Sequence, residues 1–358
     1  MNNGIKVVQE ELEEQVANSR KEIRADRMDM SFGEIMNMYD EGELIISPEF
    51  QRIFRWKEDT QTRFIESLLL GIPIPPIFVA ETGGNVWELV DGLQRISTVL
   101  SFFGKLRDDE KNNLVLSEAP ILSKLKGLTI DTLPLNFKLL LKRAVCRVEV
   151  IRYDSEFDMR YELFNRLNTG GVKLSEQEIR NCIFRPYDNA FNKFIQDLSK
   201  EKKFKNIIHI RKEEEEQMYA QELVLRYFTL KNYGATFEIN IQKHMDEYML
   251  KVSKNEIKFE YQKEEKLFKA ICEKLNELGT DIFKLSTLNF STSMYDAIMI
   301  NFARNFEIVR DIKNDLLIDK INKLKVDKEF RKNTGAASSS KYRINNKIEI
   351  AETFLFAE

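Results

Sequence analysis

The sequence predicts an α+β fold, with a small α/β part near the N-terminus and a mainly α-helical remainder. Three observations carry this. Strand-like runs bounded by turn formers fall at 77–80, 86–90 and 145–151, all in the first half. Helical spacing of apolar residues separates these runs, so strands and helices share one layered unit. Beyond Tyr153 the helical period dominates almost throughout. The expected division is a helical extension over 1–30, a domain over 31–185 and a helical region over 186–358.

In chain order, residues 8–29 carry dense charge with few apolar positions, which suggests an exposed helix or extension. Phe32, Ile35, Met36 and Tyr39 fit one helical face that ends near Gly42. Leu44-Ile45-Ile46 is strand-like and stops at Pro48. Asp59 or Thr60 can cap a helix whose inward face holds Phe64, Ile65, Leu68 and Leu69, with Gly71 and Pro73 ending it. Ile77–Ala80, the turn Thr82-Gly83-Gly84-Asn85 and Val86–Val90 read as a hairpin. After Asp91-Gly92, the residues Ile96, Val99, Leu100 and Phe103 mark a helix that stops at Gly104. In Val145–Ile151, Cys146, Val148 and Val150 alternate with Arg147 and Glu149, the period of a strand. Phe157, Tyr161 and Phe164 then share a helical face that Gly170-Gly171 terminates. Ser175 with Glu178 three residues on is a capping box. Later helices are expected over 187–199, 217–232, 238–252, 262–277, 293–325 with a break, and 341–357.

Composition narrows the function classes. Hydrophobic residues make up 43% and aromatics 11% of 358 residues, enough to bury a full core. Three cysteines without a CxxC pair suit a reducing compartment and give no zinc signature. The first residues lack the apolar core of a signal peptide, and no run approaches the ~20 apolar residues that span a bilayer. These features predict a soluble, cytoplasmic protein without a membrane partner. Net charge is −3, so no global field draws the chain to nucleic acid. Lys320–Lys347 nevertheless holds nine Lys/Arg against two acids. Lys325, Lys328, Arg331, Lys332, Lys341 and Arg343 are therefore candidate DNA contacts, although such a run also suits a solvated helix face and loop.

Three segments can carry chemistry. The first is the strand–turn–helix unit Trp87–Ile96. A helix start offers unpaired N–H groups and partial positive charge to phosphate. Gly92 allows close backbone approach, and Arg95 can grip phosphate oxygens in parallel. Asp91 suits a metal-bound or attacking water, with Gln94 positioning it. An ordinary Asp-Gly turn before a helix explains the same residues equally well. The second segment is Pro48–Trp56, where Gln51, Arg52, Arg55 and the rings Phe50, Phe54 and Trp56 suit base stacking and phosphate pairing. The rival account is a loop that its aromatics anchor in the core. The third is Phe164–Gly171, in which Asn165, Asn168 and Thr169 can bind nucleotide or magnesium or merely cap a helix end. Arg180 and Asn181 are placed to face the same region. His209 and His244 have no HxxxH spacing, and neither GxxxxGK[ST] nor GxGxxG occurs, which argues against a zinc hydrolase and the common phosphate loops.

Taken in order, PEFQRIFRW (48–56), VDGLQRIST (90–98) and FNRLNTGGVKLSEQEIRN (164–181) resemble the signature segments of the N-terminal domain of GmrSD-type restriction proteins, within the ParB/sulfiredoxin-like superfamily. The resemblance runs through IESLLLGIPIPPIFV (65–79) and is close over about 31–185. YAQELVLRYFTL (219–230) and SSSKYRINNKIEIA (338–351) look like the helical remainder of the same family. It implies a core that binds a nucleoside triphosphate, GTP or ATP, with magnesium, and a DGQQR segment needed for hydrolysis. Carried over, it marks Asp91, Gly92, Gln94 and Arg95, with Gln51, Arg52, Asn165 and Asn168 at the other motif positions. Leu93 stands where the family has Gln, which removes one amide from the nucleotide's reach. In the family, hydrolysis serves defence against foreign or modified DNA, and the nuclease is often a histidine-containing HNH domain. This sequence lacks that half, so a partner protein is expected to make any cut.

The sequence thus predicts a nucleoside triphosphatase acting as a sensor or switch in a DNA-directed defence system, with DNA, a nuclease partner and self-association as candidate interactions. The alternative is a non-catalytic DNA- or protein-binding module on the same fold. A domain that cleaves DNA itself is least favoured, because no paired carboxylate motif accompanies the missing histidines.

Overall fold

A computed structural model describes residues 9, 11–16, 25–46, 54, 56–82, 84–152, 175–184, 189–236, 240–285, 290–335 and 338–356. Gln51, Arg52, Asn165, Asn168, Thr169 and the expected helix holding Phe157, Tyr161 and Phe164 lie outside the described residues. The chain divides into two compact units, 1–173 and 174–358, and each is taken by itself.

The first unit runs β1 (Ala25–Ser31), α1 (Phe32–Glu41), β2 (Leu44–Ile45), α2 (Glu58–Leu70), β3 (Ile77–Glu81), β4 (Trp87–Asp91), α3 (Leu93–Phe102), α4 (Leu135–Arg143) and β5 (Val145–Ile151). The strands form one mixed sheet in the order β1-β5-β3-β4-β2. β1 is antiparallel to β5, β5 parallel to β3, β3 antiparallel to β4, and β4 parallel to β2. The central strands bury Ile77, Val79, Leu89, Cys146, Val148 and Val150. That burial follows the period-two alternation of β5, whose Arg147 and Val145 face out.

Local chemistry explains the helix limits. Ser31 Oγ accepts the Glu34 N–H at the start of α1, and Gly42 in the left-handed region closes it. Gly71, at φ +67, closes α2. The start of α2 differs from expectation: the helix begins at Glu58, one residue before Asp59, with no side-chain cap. The Gln61 side chain instead reaches back to the Trp56 carbonyl at 2.7 Å, tying the chain before the helix to its first turn.

Two elements depart from the sequence expectation. Residues 11–16 are helical and exposed, but the extension expected to be helical through 30 ends in the strand β1. Its charges hid it, because they form cross-strand ion pairs: Arg27 with Glu149 at 2.9 Å and Asp29 with Arg147 at 3.0 Å. Arg147 holds the Asp29 carboxyl below its ordinary value. Helix α4 was not expected at all, since it buries only Leu141 and so lacks an apolar stripe.

The second unit is all helical: α5 (Glu176–Phe184), α6 (Asn189–Ser199), α7 (Lys202–Ile208), α8 (Lys212–Glu216), α9 (Tyr219–Tyr233), α10 (Ile241–Ser253), α11 (Tyr261–Leu278), α12 (Thr292–Arg304), α13 (Phe306–Asp311), α14 (Asn314–Val326), α15 (Lys328–Lys332) and α16 (Lys341–Phe356). The capping box stands at the head of α5, with Glu178 Oε2 accepting the Ser175 N–H and Ser175 Oγ accepting the Glu178 N–H. Helices α9 and α12 are buried along most of their length and form the middle of this unit. Inside it, Arg226 makes a two-pronged pair with Asp296 at 2.6 and 2.7 Å. The Lys347 ammonium lies 3.6 Å from the same carboxylate and donates to Ser293 Oγ and the Ser338 carbonyl. Burial pulls the Lys347 pKa below the ordinary lysine value.

Candidate functional site

The turn at Asp91–Arg95 is built by a bulge, a glycine and an arginine. Strand β3 pairs Ala80 with Glu88 and Val79 with Leu89, then shifts so that Phe78 opposes Asp91. The extra residue, Val90, twists the end of β4 and re-aims Asp91 just before the turn. Gly92 follows at φ +98, where L side chains are strained. A Cβ there would stand 2.4 Å from Ile77 Cγ2, so both the backbone angle and the close approach to β3 require glycine. Helix α3 starts at Leu93, and among the described residues no side chain caps it. Its first amides are therefore oriented as an anion-binding helix start is.

Arg95 ties this turn to the proline-rich lead into β3. Its Nη2 donates to Asp91 Oδ2 at 2.8 Å, and its Nη1 donates to the carbonyls of Pro75 and Pro76, the latter at 2.9 Å. The guanidinium is largely buried, whereas the Asp91 side chain keeps 39% of its exposure. Asp91 Oδ1 has no hydrogen-bond donor among the described residues. The charge of Arg95 reaches the sheet centre: burial pushes the Cys146 thiol up to about 11, and Arg95 pulls against that rise.

Gln94 points the other way, towards the aromatic–arginine segment. Its Oε1 accepts the Trp56 N–H at 3.0 Å, while Gln61 Nε2 donates to the Trp56 carbonyl. The backbone of Trp56, at the end of the PEFQRIFRW segment, is thus held on both sides, by α3 and by α2. The Trp56 ring packs edge-on against Phe64, with centroids 5.7 Å apart. Two of the three segments singled out in the sequence therefore meet in space at the hydrogen bond between Trp56 and Gln94.

Gln61 was missed. It shares the stripe of Phe64, Ile65 and Leu68, and an uncharged polar residue on an apolar helix face is the signal that could have found it. Thr62 and Glu66, also buried on α2, were missed likewise. Thr62 Oγ1 accepts the Ser117 N–H, and Glu66 Oε1 accepts the amides of Ile121 and Leu122, so they hold the loop beyond α3.

The other candidates among the described residues lie in the second unit. Arg180 is fully buried in the second unit on Asp246 (2.5 Å) and Gln242, and Asn181 donates to Gln221 at 2.8 Å. In the basic stretch, Lys325 donates to the Asp281 carbonyl and Arg331 to the carbonyls of Lys325 and Leu285, which ties both to helix ends and loops. Lys332 pairs with Glu329 and Lys328 is exposed, whereas Lys341 and Arg343 are half-buried. His244 lies stacked 4.7 Å from Tyr233, with its Nε2 2.9 Å from that residue's carbonyl, and His209 is an exposed helix end. Neither has a metal-site setting, and no cluster of three or more His, Cys, Asp or Glu able to hold a metal occurs among the described residues. Among the same residues, no helix is long and apolar enough to cross a membrane.

A magnesium ion is ordinarily held by one or two carboxylates, with waters and substrate phosphates completing its octahedron. Among the described residues one oxygen of the half-exposed Asp91 carboxylate receives no protein donor and no side chain caps the adjoining helix start, which fits that sparse requirement. Among known families, the model described as "GmrSD restriction endonuclease, N-terminal domain" matches residues 32–185. No curated protein and no solved structure matches the chain.

Proposed function

Residues 32–185 are a GmrSD restriction endonuclease N-terminal domain, and from that premise we propose that the chain is the nucleotide-dependent switch of a restriction or anti-phage defence system. It binds GTP or ATP where the end of β4, the start of α3 and the segment ending at Trp56 come together, and it hydrolyses the terminal phosphate. The observation that carries this reading is the Trp56–Gln94 hydrogen bond, which brings a phosphate-type turn and a segment rich in arginine and aromatics to one place.

In this reading the amides at the start of α3 hold phosphate oxygens, and Gly92 keeps the backbone open to them. Arg95 fixes the carboxylate of Asp91 and sets the Pro75–Pro76 lead, so it positions the site and adds positive charge to it. Asp91, through its second oxygen, holds the attacking water or a magnesium ion, which would supply charge neutralisation at the phosphates. Gln94 orients that water while its carbonyl oxygen keeps Trp56 in place. Gln51, Arg52, Asn165, Asn168 and Thr169 supply the further contacts to phosphate and base. Hydrolysis adds water across the terminal phosphoanhydride and releases phosphate and the nucleoside diphosphate. The downstream event is recognition of foreign or modified DNA, with cleavage made by a partner nuclease.

Phosphate release by the full chain with each nucleoside triphosphate, with and without DNA, tests this reading. Turnover that falls in Arg95→Ala supports it. Absence of both binding and turnover with every nucleotide refutes it, and undiminished turnover in Arg95→Ala removes this site. For DNA, retention in a gel shift should weaken steeply as salt rises. No retention at low salt refutes direct binding.

A further inference from the structure

Among the described residues, helix α4 and the end of α2 leave an apolar groove unfilled. A cavity of about 840 Å³ lies between the loop after α2 and α4. Leu70, Ile72, Leu139, Leu140 and Val145 line it and are each between 37% and 58% exposed. Exposed side chains of this size gathered in one groove mark an interaction site more often than scattered ones do. The groove is basic: Arg143 is the one charged residue among those lining it, and Lys138 and Lys142 flank it on α4, which carries no acid.

A complementary surface exists in the same unit. The short helix at 11–16 leaves Leu12 and Val16 exposed at 56% and 47%, four residues apart on one helical face. In sequence the spacing continues backwards to Val8 and Ile5. Glu10, Glu11, Glu13 and Glu14 flank Leu12, and no cation occurs between Val8 and Val16. Among the described residues, an acidic helix thus presents an exposed apolar stripe in a chain that also exposes a basic apolar groove.

We infer that this groove receives the 9–16 helix of a second copy of the chain. Leu12 and Val16 enter between Leu70, Ile72, Leu139 and Leu140, and the glutamates pair with Lys138, Lys142 and Arg143 at the rim, a helix-in-groove mode of recognition. A twofold arrangement makes the contact twice, so each copy gives a helix and receives one. Doubling brings the buried area towards the roughly 1,200 Å² of a specific interface. This assignment does not rest on nucleotide chemistry.

Sedimentation velocity of the full chain between micromolar and hundred-micromolar concentration tests it. The wild type is expected to be a dimer whose dissociation constant rises with salt, because the glutamate–lysine contacts lie at a solvent-exposed rim. Leu12→Glu with Val16→Glu, and separately Leu139→Glu with Leu140→Glu, should each raise that constant by about tenfold or more, as the loss of an apolar anchor does. All four positions are exposed, and circular dichroism confirms that the variants stay folded. A charge exchange gives a second readout. Lys138→Glu with Lys142→Glu should not self-associate, nor should Glu11→Lys with Glu14→Lys, but mixing the two should give a heterodimer held by one native and one charge-reversed contact. A monomer at every concentration, a dimer indifferent to both sets of variants, or no heterodimer on mixing overturns the inference.

Discussion

Replacing Gly92 by alanine tests the backbone logic of the turn. The residue sits at φ +98, and a left-handed conformation costs a non-glycine residue about 1–2 kcal/mol. The new Cβ would also lie 2.4 Å from Ile77 Cγ2 and 3.0 Å from Ile77 Cβ, inside a packed sheet. Forcing one extra methyl into such a place costs about 1–3 kcal/mol. Together the loss should be about 2–5 kcal/mol, read as a shift in urea midpoint followed by circular dichroism. The two contributions separate in a double-mutant cycle. Ile77→Ala removes the methyl at 2.4 Å but keeps the Cβ at 3.0 Å, so Gly92→Ala in that background should cost less than in the wild type and at least the backbone part, about 1–2 kcal/mol. A loss below about 0.5 kcal/mol, ordinary for a surface substitution, would refute the argument. An equal loss in both backgrounds would show that contact with Ile77 is not its cause.

Asp296→Ala leaves the buried Arg226 and Lys347 charges without their shared carboxylate, and breaking such a pair costs about 3–5 kcal/mol. A urea midpoint within error of wild type would contradict the buried network. Burial holds the His244 pKa below the ordinary 6.5, so at mildly acid pH the unfolded chain takes up a proton that the folded one refuses. Stability should therefore fall as pH drops from about 6.5 towards the folded-state pKa. In His244→Phe this part of the slope should disappear, and identical midpoint–pH curves for the two proteins would refute it.

The parts of this fold that the sequence revealed are those whose residues bury a regular face. Cys146, Val148 and Val150 announced β5 by alternation, and Phe32, Ile35, Met36 and Tyr39 announced α1 by their helical spacing. β1 escaped because its specificity lies in ion pairs with a strand more than a hundred residues away, which no local window contains. α4 escaped because only its Leu141 meets a core, while Leu139 and Leu140 line the open groove. At the candidate site, Asp91, Gly92 and Arg95 were legible as types, but not as partners. The grip of Arg95 on the Pro75 and Pro76 carbonyls, the Val90 bulge and the reach of Gln61 to Trp56 depend on register and loop path. By residue type Gln94 reads as a water-orienting amide, and its contact with the backbone of Trp56, which links the two segments, depends on the same loop path.

The most direct test of the account is phosphate release by the full chain carrying Asp91→Asn, measured with magnesium and whichever nucleotide the wild type turns over. Asparagine keeps an acceptor for Arg95 but removes the negative charge that would hold magnesium or water. A fall of about tenfold or more with the fold intact, as expected for loss of a group that works on the attacking water, is the predicted result. Turnover equal to wild type would contradict a nucleotide site at the Asp91–Arg95 turn.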